Sequence, residues 1–501
     1  MRPPSYLAAA ALLLAGCAVR SETELSLATE GASAVSEARL RDDLFALAGD
    51  AMRGREAGTL DELRASAWVA ERARAAGLEP AGDDGTYFQW FPMRRVRVNP
   101  ASVVAIGADT LRHGRDVVAL SPVAASLDLP VVDVGAGDSV ALRGVDLRGK
   151  AALVRVPLPD PLPGPDVSLK GYRVLSRLLR QHAARLAQQG AAAVVLVGDA
   201  AAEREWAFLG GSLARGRYAL DTARSAAAPP AGPAAVPALW MRAAHLPRLT
   251  AAGARLGLAL RVDDYAYPSV NVVARAPGSD AALRAEHVLV SAHQDHDGVR
   301  LVASGDSIWN GADDNATASV AALEIGRLFA RRPGRRSVLV VWHGAEERGL
   351  LGSSWYVMRP TVARSSIVAV LNADMLGRNH PDTAALLGAQ PPHRNSNELA
   401  RLALDANART TRFVVDSSWD RMEHPEGWYF RSDHLPYARA GIPALFFTTL
   451  LHADYHTERD DPERIDAAKL ARMTRWMYET ARAVADGDRR PAPDPGARLE
   501  R

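Results

Sequence analysis

Ser337-Val338-Leu339-Val340-Val341-Trp342 is a solid apolar run that leads within a few residues into Ala345-Glu346-Glu347. An apolar run of this length without polar alternation predicts a strand buried on both faces, as in a parallel sheet covered by helices. Two adjacent carboxylates then stand at the carboxyl end of that strand, where open α/β sheets keep their ligands. Acidic side chains are rarely buried without a cation or metal beside them, so the pair calls for a partner.

The neighbouring segments repeat the pattern. Residues 288–292 predict a strand that ends in His293-Gln294-Asp295, and residues 367–371 another that leads to Asn372-Ala373-Asp374. Trp309-Asn310-Gly311-Ala312 turns the chain into Asp313-Asp314-Asn315, after which residues 316–329 read as a helix. A further strand over 442–447 precedes Asp454-Tyr455-His456-Thr457, residues 470–484 form a closing amphipathic helix, and the Pro-rich tail from Arg490 reads as disordered. The expected fold class is α/β, a mostly parallel sheet sandwiched by helices.

Taken singly, a histidine after a strand is more often a core or surface residue than a ligand, and Asp313-Asp314 alone would be a helix cap. Convergence changes this. Loops at the carboxyl ends of neighbouring parallel strands meet, so His293, Asp313, Glu346, Glu347, Asp374 and His456 would share one rim. Such a set of acids cannot remain ionised together without a cation, and histidines among carboxylates suit zinc or a similar ion, two ions rather than one.

The other half of the chain is less explicit. With 501 residues the chain exceeds one ordinary core, and its formal charge of +2 gives no reason to expect a nucleic-acid partner. Arg2, an apolar run over residues 6–15 and the single cysteine, Cys17, read as an export signal too short to span a bilayer. With no other cysteine, a metal must be held by His, Asp or Glu. After a polar tether, Thr59 and Glu62 have the spacing of a capping box that starts a helix ending near Gly77 and Pro80. Residues 85–89 read as an edge strand. Short apolar strands at 131–134, 151–156, 191–197 and 236–241, with a helix over 181–189, mark a second β-rich region; Pro157 to Pro165 reads as a surface loop.

The segments Ser291-Ala292-His293-Gln294-Asp295, Asn310 to Ala316, Ala345 to Ser353, Asn372-Ala373-Asp374-Met375 and Asp454-Tyr455-His456-Thr457 together resemble the bacterial leucyl aminopeptidase and glutamate carboxypeptidase family of two-zinc exopeptidases. Residues 147–154 and 187–195 resemble the protease-associated domain inserted in several exopeptidases, and Leu14-Ala15-Gly16-Cys17 resembles the lipobox of bacterial lipoproteins. The resemblance implies a phosphorylase/hydrolase-like zinc peptidase fold and two Zn2+ ions. Asp313 would bridge the ions, His293 and Asp374 would complete one, and Glu347 and His456 the other. Glu346 falls on the general base, Asp295 on the residue that supports the histidine ligand, and Tyr455 on a tyrosine that donates to the tetrahedral intermediate.

The division expected is a signal peptide over 1–16, a tether over 17–36, peptidase segments over 37–116 and 263–487 around an insert over 117–262, and a tail over 488–501. The resemblance implies peptide substrates and an exported protein whose only membrane attachment is a lipid at Cys17. Ala18 rather than aspartate after the cysteine points to the outer membrane, facing the periplasm or the cell surface. Other readings are a carboxypeptidase, a one-metal glutaminyl cyclase and a receptor-like relative without activity; the complete ligand set argues against the receptor, the insert against the cyclase, and the form of the Ala345-to-Ser353 and Asp313-to-Ala316 segments resembles the aminopeptidases rather than the carboxypeptidases. No His-Glu-x-x-His helix and no Gly-x-Ser-x-Gly elbow occurs.

Overall fold

The computed structural model describes residues 35–222, 236–300 and 305–500. Cys17 and the signal-like run before it lie outside the described residues. Among those described, no helix is long and apolar enough to cross a membrane.

The strand read from residue 337 runs Ser337–His343 and is buried throughout. Val338, Val340 and Trp342 join one core cluster while Leu339 and Val341 join another on the opposite face, which is why the sequence shows no alternation. Four strands are parallel in the order Ala444–Thr448, Ile367–Ala373, His287–His293 and Ser337–His343. The helices Glu37–Leu47, Ala318–Arg331 and Ala467–Asp486 cover one face, and Leu351–Met358 with His434–Arg439 cover the other.

The sheet is mixed rather than mostly parallel. Beyond Ser337–His343, the strands Val262–Ala276, Phe88–Val98 and Arg217–Leu220 each pair antiparallel with their neighbours. The reason lies in the connection: Phe88–Val98 leaves the sheet for a second unit and Val262–Ala276 returns from it, with no helical crossover between them. The edge strand expected at residues 85–89 begins at Phe88 and there pairs on one side, with Asn271 and Val272; it gains a second neighbour at residues 93–96.

The second unit is a sheet of its own in the order Asp109–Leu111, Val103–Ile106, Arg255–Leu260, Ala125–Asp133, Ala151–Val156, Ala193–Gly198, Ala238–Met241, Val117–Ala119. It begins at Val103 rather than at residue 117. Arg217–Leu220 departs from it to join the large sheet, an excursion that the sequence pattern does not announce. The helix expected over 181–189 is longer, Lys170–Gln188, and buries Val174, Leu175, Leu179 and Leu186. The tail from Arg490, expected to be disordered, packs instead. Asp494 N donates to Asn395 O at 2.7 Å and Leu499 lies against the core.

Arg55 joins the end of the helix Glu37–Leu47 to the site. It is fully buried, and its guanidinium donates to four backbone carbonyls, those of Gln294 (2.7 Å), Leu47 (3.0 Å), Asn310 (2.7 Å) and Gly311 (2.8 Å). Burial lowers its pKa to about 10, against the charges of Asp295 and Asp314, so it remains a cation at neutral pH. Removing it leaves four carbonyls without their donor, and each buried unsatisfied group costs about 1–3 kcal/mol. Arg55→Met should destabilise the metal-free protein by at least about 3 kcal/mol in urea denaturation; a loss below 1 kcal/mol would show that water replaces the guanidinium.

Candidate active site

His293, Glu346, Glu347 and Asp374 stand at the carboxyl ends of parallel strands, while Asp313 and Asp314 come in after the short antiparallel strand Ile308–Trp309. His293 is the last residue of its strand, and Asp374 follows Ile367–Ala373 directly. Glu346 and Glu347 come after a turn at Ala345, whose backbone is left-handed (φ 53°). The amides of Glu346 and Glu347 then donate to Asp295 Oδ1 (3.0 Å) and Oδ2 (3.3 Å).

Asp314, not Asp313, stands between the histidines. Its Oδ1 is 3.4 Å from His293 Nε2, and its Oδ2 is 3.1 Å from His456 Nε2. Asp313, expected to bridge, points elsewhere: its Oδ1 accepts from Gly377 N (2.7 Å) and Thr317 Oγ1 (3.2 Å), and its Oδ2 faces His452 Nε2 at 3.4 Å. The backbone explains the exchange. Gly311 has φ 57°, and a Cβ there would lie 2.2 Å from the Asp314 carbonyl oxygen and 2.3 Å from the His296 ring, so only glycine permits the approach. Asp460 then accepts from the amides of Asp313 and Asp314, which fixes the turn.

His293 Nε2 also lies 3.5 Å from Asp374 Oδ2 and 3.8 Å from Glu346 Oε2. His456 Nε2 lies 3.4 Å from Glu347 Oε2. Two groups therefore share Asp314: His293 with Asp374, and His456 with Glu347. His296, which the sequence reading passed over, adds to the second, with Nδ1 2.9 Å from Glu347 Oε1 and 3.9 Å from Asp314 Oδ2. Only its place three residues beyond His293 on the same loop could have drawn attention to it. The expected support of His293 by the Asp295 side chain takes another form, since His293 Nδ1 meets the Asp295 carbonyl oxygen at 3.2 Å and the carboxylate only at 3.9 Å.

Electrostatics mark the same groups. Burial alone would lower the pKa of His293, yet the carboxylates of Glu346, Asp374 and Asp314 hold it well above the ordinary value. His456 is raised likewise against burial, by Glu347 and Asp297. Burial raises Asp374 to about 6, Asp433 to about 7, and Glu346 well above the usual carboxylate range. These groups can hold protons between them or give them up to a cation. Among the described residues, His293 Nε2 and Asp374 Oδ1 are buried without a hydrogen-bond partner, as ligand atoms facing a common point would be. The donor set, histidine nitrogens with carboxylate oxygens, fits zinc or a similar ion.

Tyr455 is buried beside His456, and its Oη accepts from Arg431 Nη2 at 2.8 Å. Next to His456 and Glu347 opens a cavity of about 480 Å³, walled on the side of the second unit by Phe208, Arg215, Arg217 and Tyr218.

A model of Peptidase family M28 matches residues 271–481, a segment that contains every residue of this centre. The chain is 27% identical over 238 residues to a probable leucine aminopeptidase of Arthroderma benhamiae, covering 44% of this chain and 60% of that one. It is 28% identical over 193 residues to aminopeptidase YwaD of Bacillus subtilis, covering 34% of this chain and 38% of that one. These alignments thus span less than two thirds of the relatives' length. Its fold is similar to that of a zinc aminopeptidase from Bacillus subtilis, with a TM-score of 0.59 at 18% identity over 90% of this chain and 96% of the other.

Glu62 adds a pH dependence outside the ligand set. It accepts from Ser269 Oγ at 2.7 Å and from Gly58 N at 2.5 Å, while the cap itself is Thr59. Burial, then the charge of Asp295, raises its pKa to about 8. The folded state therefore keeps a proton that the unfolded chain releases above about pH 4.3, and stability is lost as pH rises towards 8. One such proton contributes a slope of up to about 1.4 kcal/mol per pH unit. Urea denaturation of the metal-free protein from pH 5 to 8 should show that Glu62→Gln removes a slope of this size; identical slopes would mean that Glu62 is ionised in the fold.

Proposed function

We propose that this chain is a zinc metallo-exopeptidase of the M28 type, an aminopeptidase that releases amino-terminal residues from peptides. The observation that carries the reading is the pair of histidine–carboxylate groups joined through Asp314, with Glu346 beside them. Similarity to proteins named aminopeptidases supports it.

His293, Asp314 and Asp374 would hold one ion, and Asp314, Glu347 and His456 the other, with His296 next to the second. When bound, the two ions supply Lewis acidity and a water of lowered pKa. Glu346 lies 3.8 Å from His293 Nε2, at the edge of the first group, and burial raises its proton affinity above that of an ordinary carboxylate, the direction a general base needs. It takes the water's proton and returns it to the leaving amine. Tyr455, whose oxygen accepts from Arg431, keeps its own hydrogen to donate to the substrate oxygen. Asp295 holds the amides of Glu346 and Glu347, so base and ligand are set by one carboxylate.

The aminopeptidase direction rests on the similarity to proteins named aminopeptidases, not on the charges around the opening. Arg215 and Arg348 line the cavity, but both are engaged by Asp297, which leaves Arg217 as the cavity arginine without an ion pair among the described residues. The second unit would be a protease-associated domain, a reading that the resemblance of residues 147–154 and 187–195 supports. Cys17 would carry the lipid that anchors an exported protein at the outer membrane, and peptides would be the partners.

Leucyl and alanyl amides with a free amine should be hydrolysed, acetylation of that amine should abolish cleavage, and chelators should inhibit. Faster release from the carboxyl end of amino-blocked peptides would move the protein to the carboxypeptidase branch. Glu346→Gln should keep both ions and lower kcat by about 100–10,000-fold. Asp314→Asn should lose metal by elemental analysis, while Asp313→Asn should retain it; the reverse order would restore Asp313 as the bridge.

A further inference from the structure

Two chains of contact run from the second unit to adjacent residues of the active site. The first passes through Asp297, which is fully buried. Its Oδ1 accepts from Arg215 Nη2 (3.1 Å) and Arg348 Nη1 (3.3 Å), and its Oδ2 meets Arg300 Nη2 (2.5 Å) and His456 Nδ1 (3.0 Å). Arg215 ends the short helix Gly211–Arg215 just before the strand that joins the large sheet, and its Nη1 also donates to the Asp297 carbonyl at 2.9 Å. With Nδ1 tied to Asp297, the Nε2 of His456 is left facing Asp314 and Glu347. Asp297, Glu347 and His456 are close enough to suggest a further metal group. Three guanidiniums already neutralise Asp297, however, so it orients the histidine rather than joining an ion.

The second chain ends on Tyr455. Arg431 donates through Nη2 to Tyr455 Oη at 2.8 Å and through Nη1 to Glu426 Oε2 at 2.9 Å. Buried Glu426 is braced in turn by the second unit: it accepts from Ser168 N, from Ser168 Oγ at 3.0 Å and from Arg173 Nη2 at 2.9 Å. Ser168 and Arg173 lie at the start of the helix Lys170–Gln188.

We propose that the second unit is a working part of the catalytic centre: Arg215, acting through Asp297, positions His456 towards the metal, and Ser168 and Arg173, acting through Glu426 and Arg431, position Tyr455 towards the substrate. The inference rests on the reading of His456 as a ligand and Tyr455 as a donor. It adds that residues of the second unit brace the contacts that hold both, beside Arg300 and Arg348 on Asp297. The two arms differ in what they should change. The first acts on metal affinity, because a carboxylate behind a ligating histidine fixes its ring orientation and raises its basicity. The second acts on turnover, because what Arg431 holds is the Tyr455 oxygen, which is no ligand atom, while the Tyr455 ring stays packed on His456 at 4.1 Å.

The test uses the full chain with zinc and a chelator competition that resolves the two binding steps, together with kcat and KM on a leucyl amide. Asp297→Asn leaves three buried guanidiniums without their carboxylate and probes folding as much as position, so Arg215→Met and Arg215→Lys carry the first arm. Arg215→Met should weaken one of the two zinc affinities by about 10–100-fold and leave the other at the parent value, and Arg215→Lys should recover part of the loss. Glu426→Gln and Arg173→Met should keep both affinities and lower kcat at least about tenfold with little change in KM. Parent-like zinc affinities in Arg215→Met would overturn the first arm, and a parent-like kcat in Glu426→Gln the second. A parent chain that binds no zinc would overturn the metal reading itself and this inference with it, a result distinct from two ions bound equally by parent and variant.

Discussion

Repulsion among buried carboxylates is the constraint on which this centre depends. Asp295, Asp313, Asp314, Glu346, Asp374, Asp433 and Asp460 are all buried around the carboxyl ends of four parallel strands. The fold satisfies some of them internally. Asp295 accepts from the amides of Glu346 and Glu347, Asp460 from those of Asp313 and Asp314, and Asp313 from Gly377 N. Arg55 adds a buried positive charge against the backbone of the same loops. Asp314 and Asp374, with Glu347 at the rim, instead face histidine nitrogens, and Asp374 Oδ1 has no hydrogen-bond partner among the described residues. Asp295 and Asp460 thus build the loops through backbone amides, whereas Asp314, Asp374 and Glu347 converge on His293 and His456; Asp313 does both, with Oδ1 on Gly377 N and Oδ2 towards His452.

Much of this was legible because strand burial and loop position leave a linear trace. The run 337–342 and its counterparts at 288–292 and 367–371 announce the parallel core, and the acids and histidines behind them fall where the sheet gathers its loops. The mixed character of the sheet was not legible, since an antiparallel flank depends on how the chain leaves for its second unit and comes back. The packed tail was missed for a related reason: its low apolar content reads as disorder, but its backbone finds partners at Pro392 and Asn395 that only the fold supplies.

Asp313 and Asp314 show where a pattern runs out. Two adjacent acids before a helix are equivalent in composition, and either could cap it or bridge. What separates them is the backbone, with Asp314 at φ −106°, ψ 89° and Asn315 at φ −136°, ψ 41°, away from helical values, which turns one carboxylate into the cleft and the other back onto Thr317 and Gly377. His296 and Asp297 escaped notice because an irregular loop has no period to read. Arg55 escaped because its partners are carbonyl groups, and a sequence does not show where a backbone comes close.

His456 itself sits in a left-handed backbone, φ 52°. Such a conformation costs a non-glycine residue about 1–2 kcal/mol and persists only where surrounding contacts over-determine it. Its own turn offers little: Thr457 N donates to Asp454 O and Tyr455 N to His452 O. The remaining constraint comes from side chains, Asp297 on Nδ1, Phe208 edge-on to the ring at 5.7 Å, and the Tyr455 ring at 4.1 Å. The segment that supplies Phe208 and Arg215 is anchored in turn, because Arg217–Leu220 pairs with residues 93–96 of the same strand that pairs with Val262–Ala276. Strand pairing in the large sheet thus fixes the wall, and the wall fixes a histidine whose own backbone would prefer another conformation.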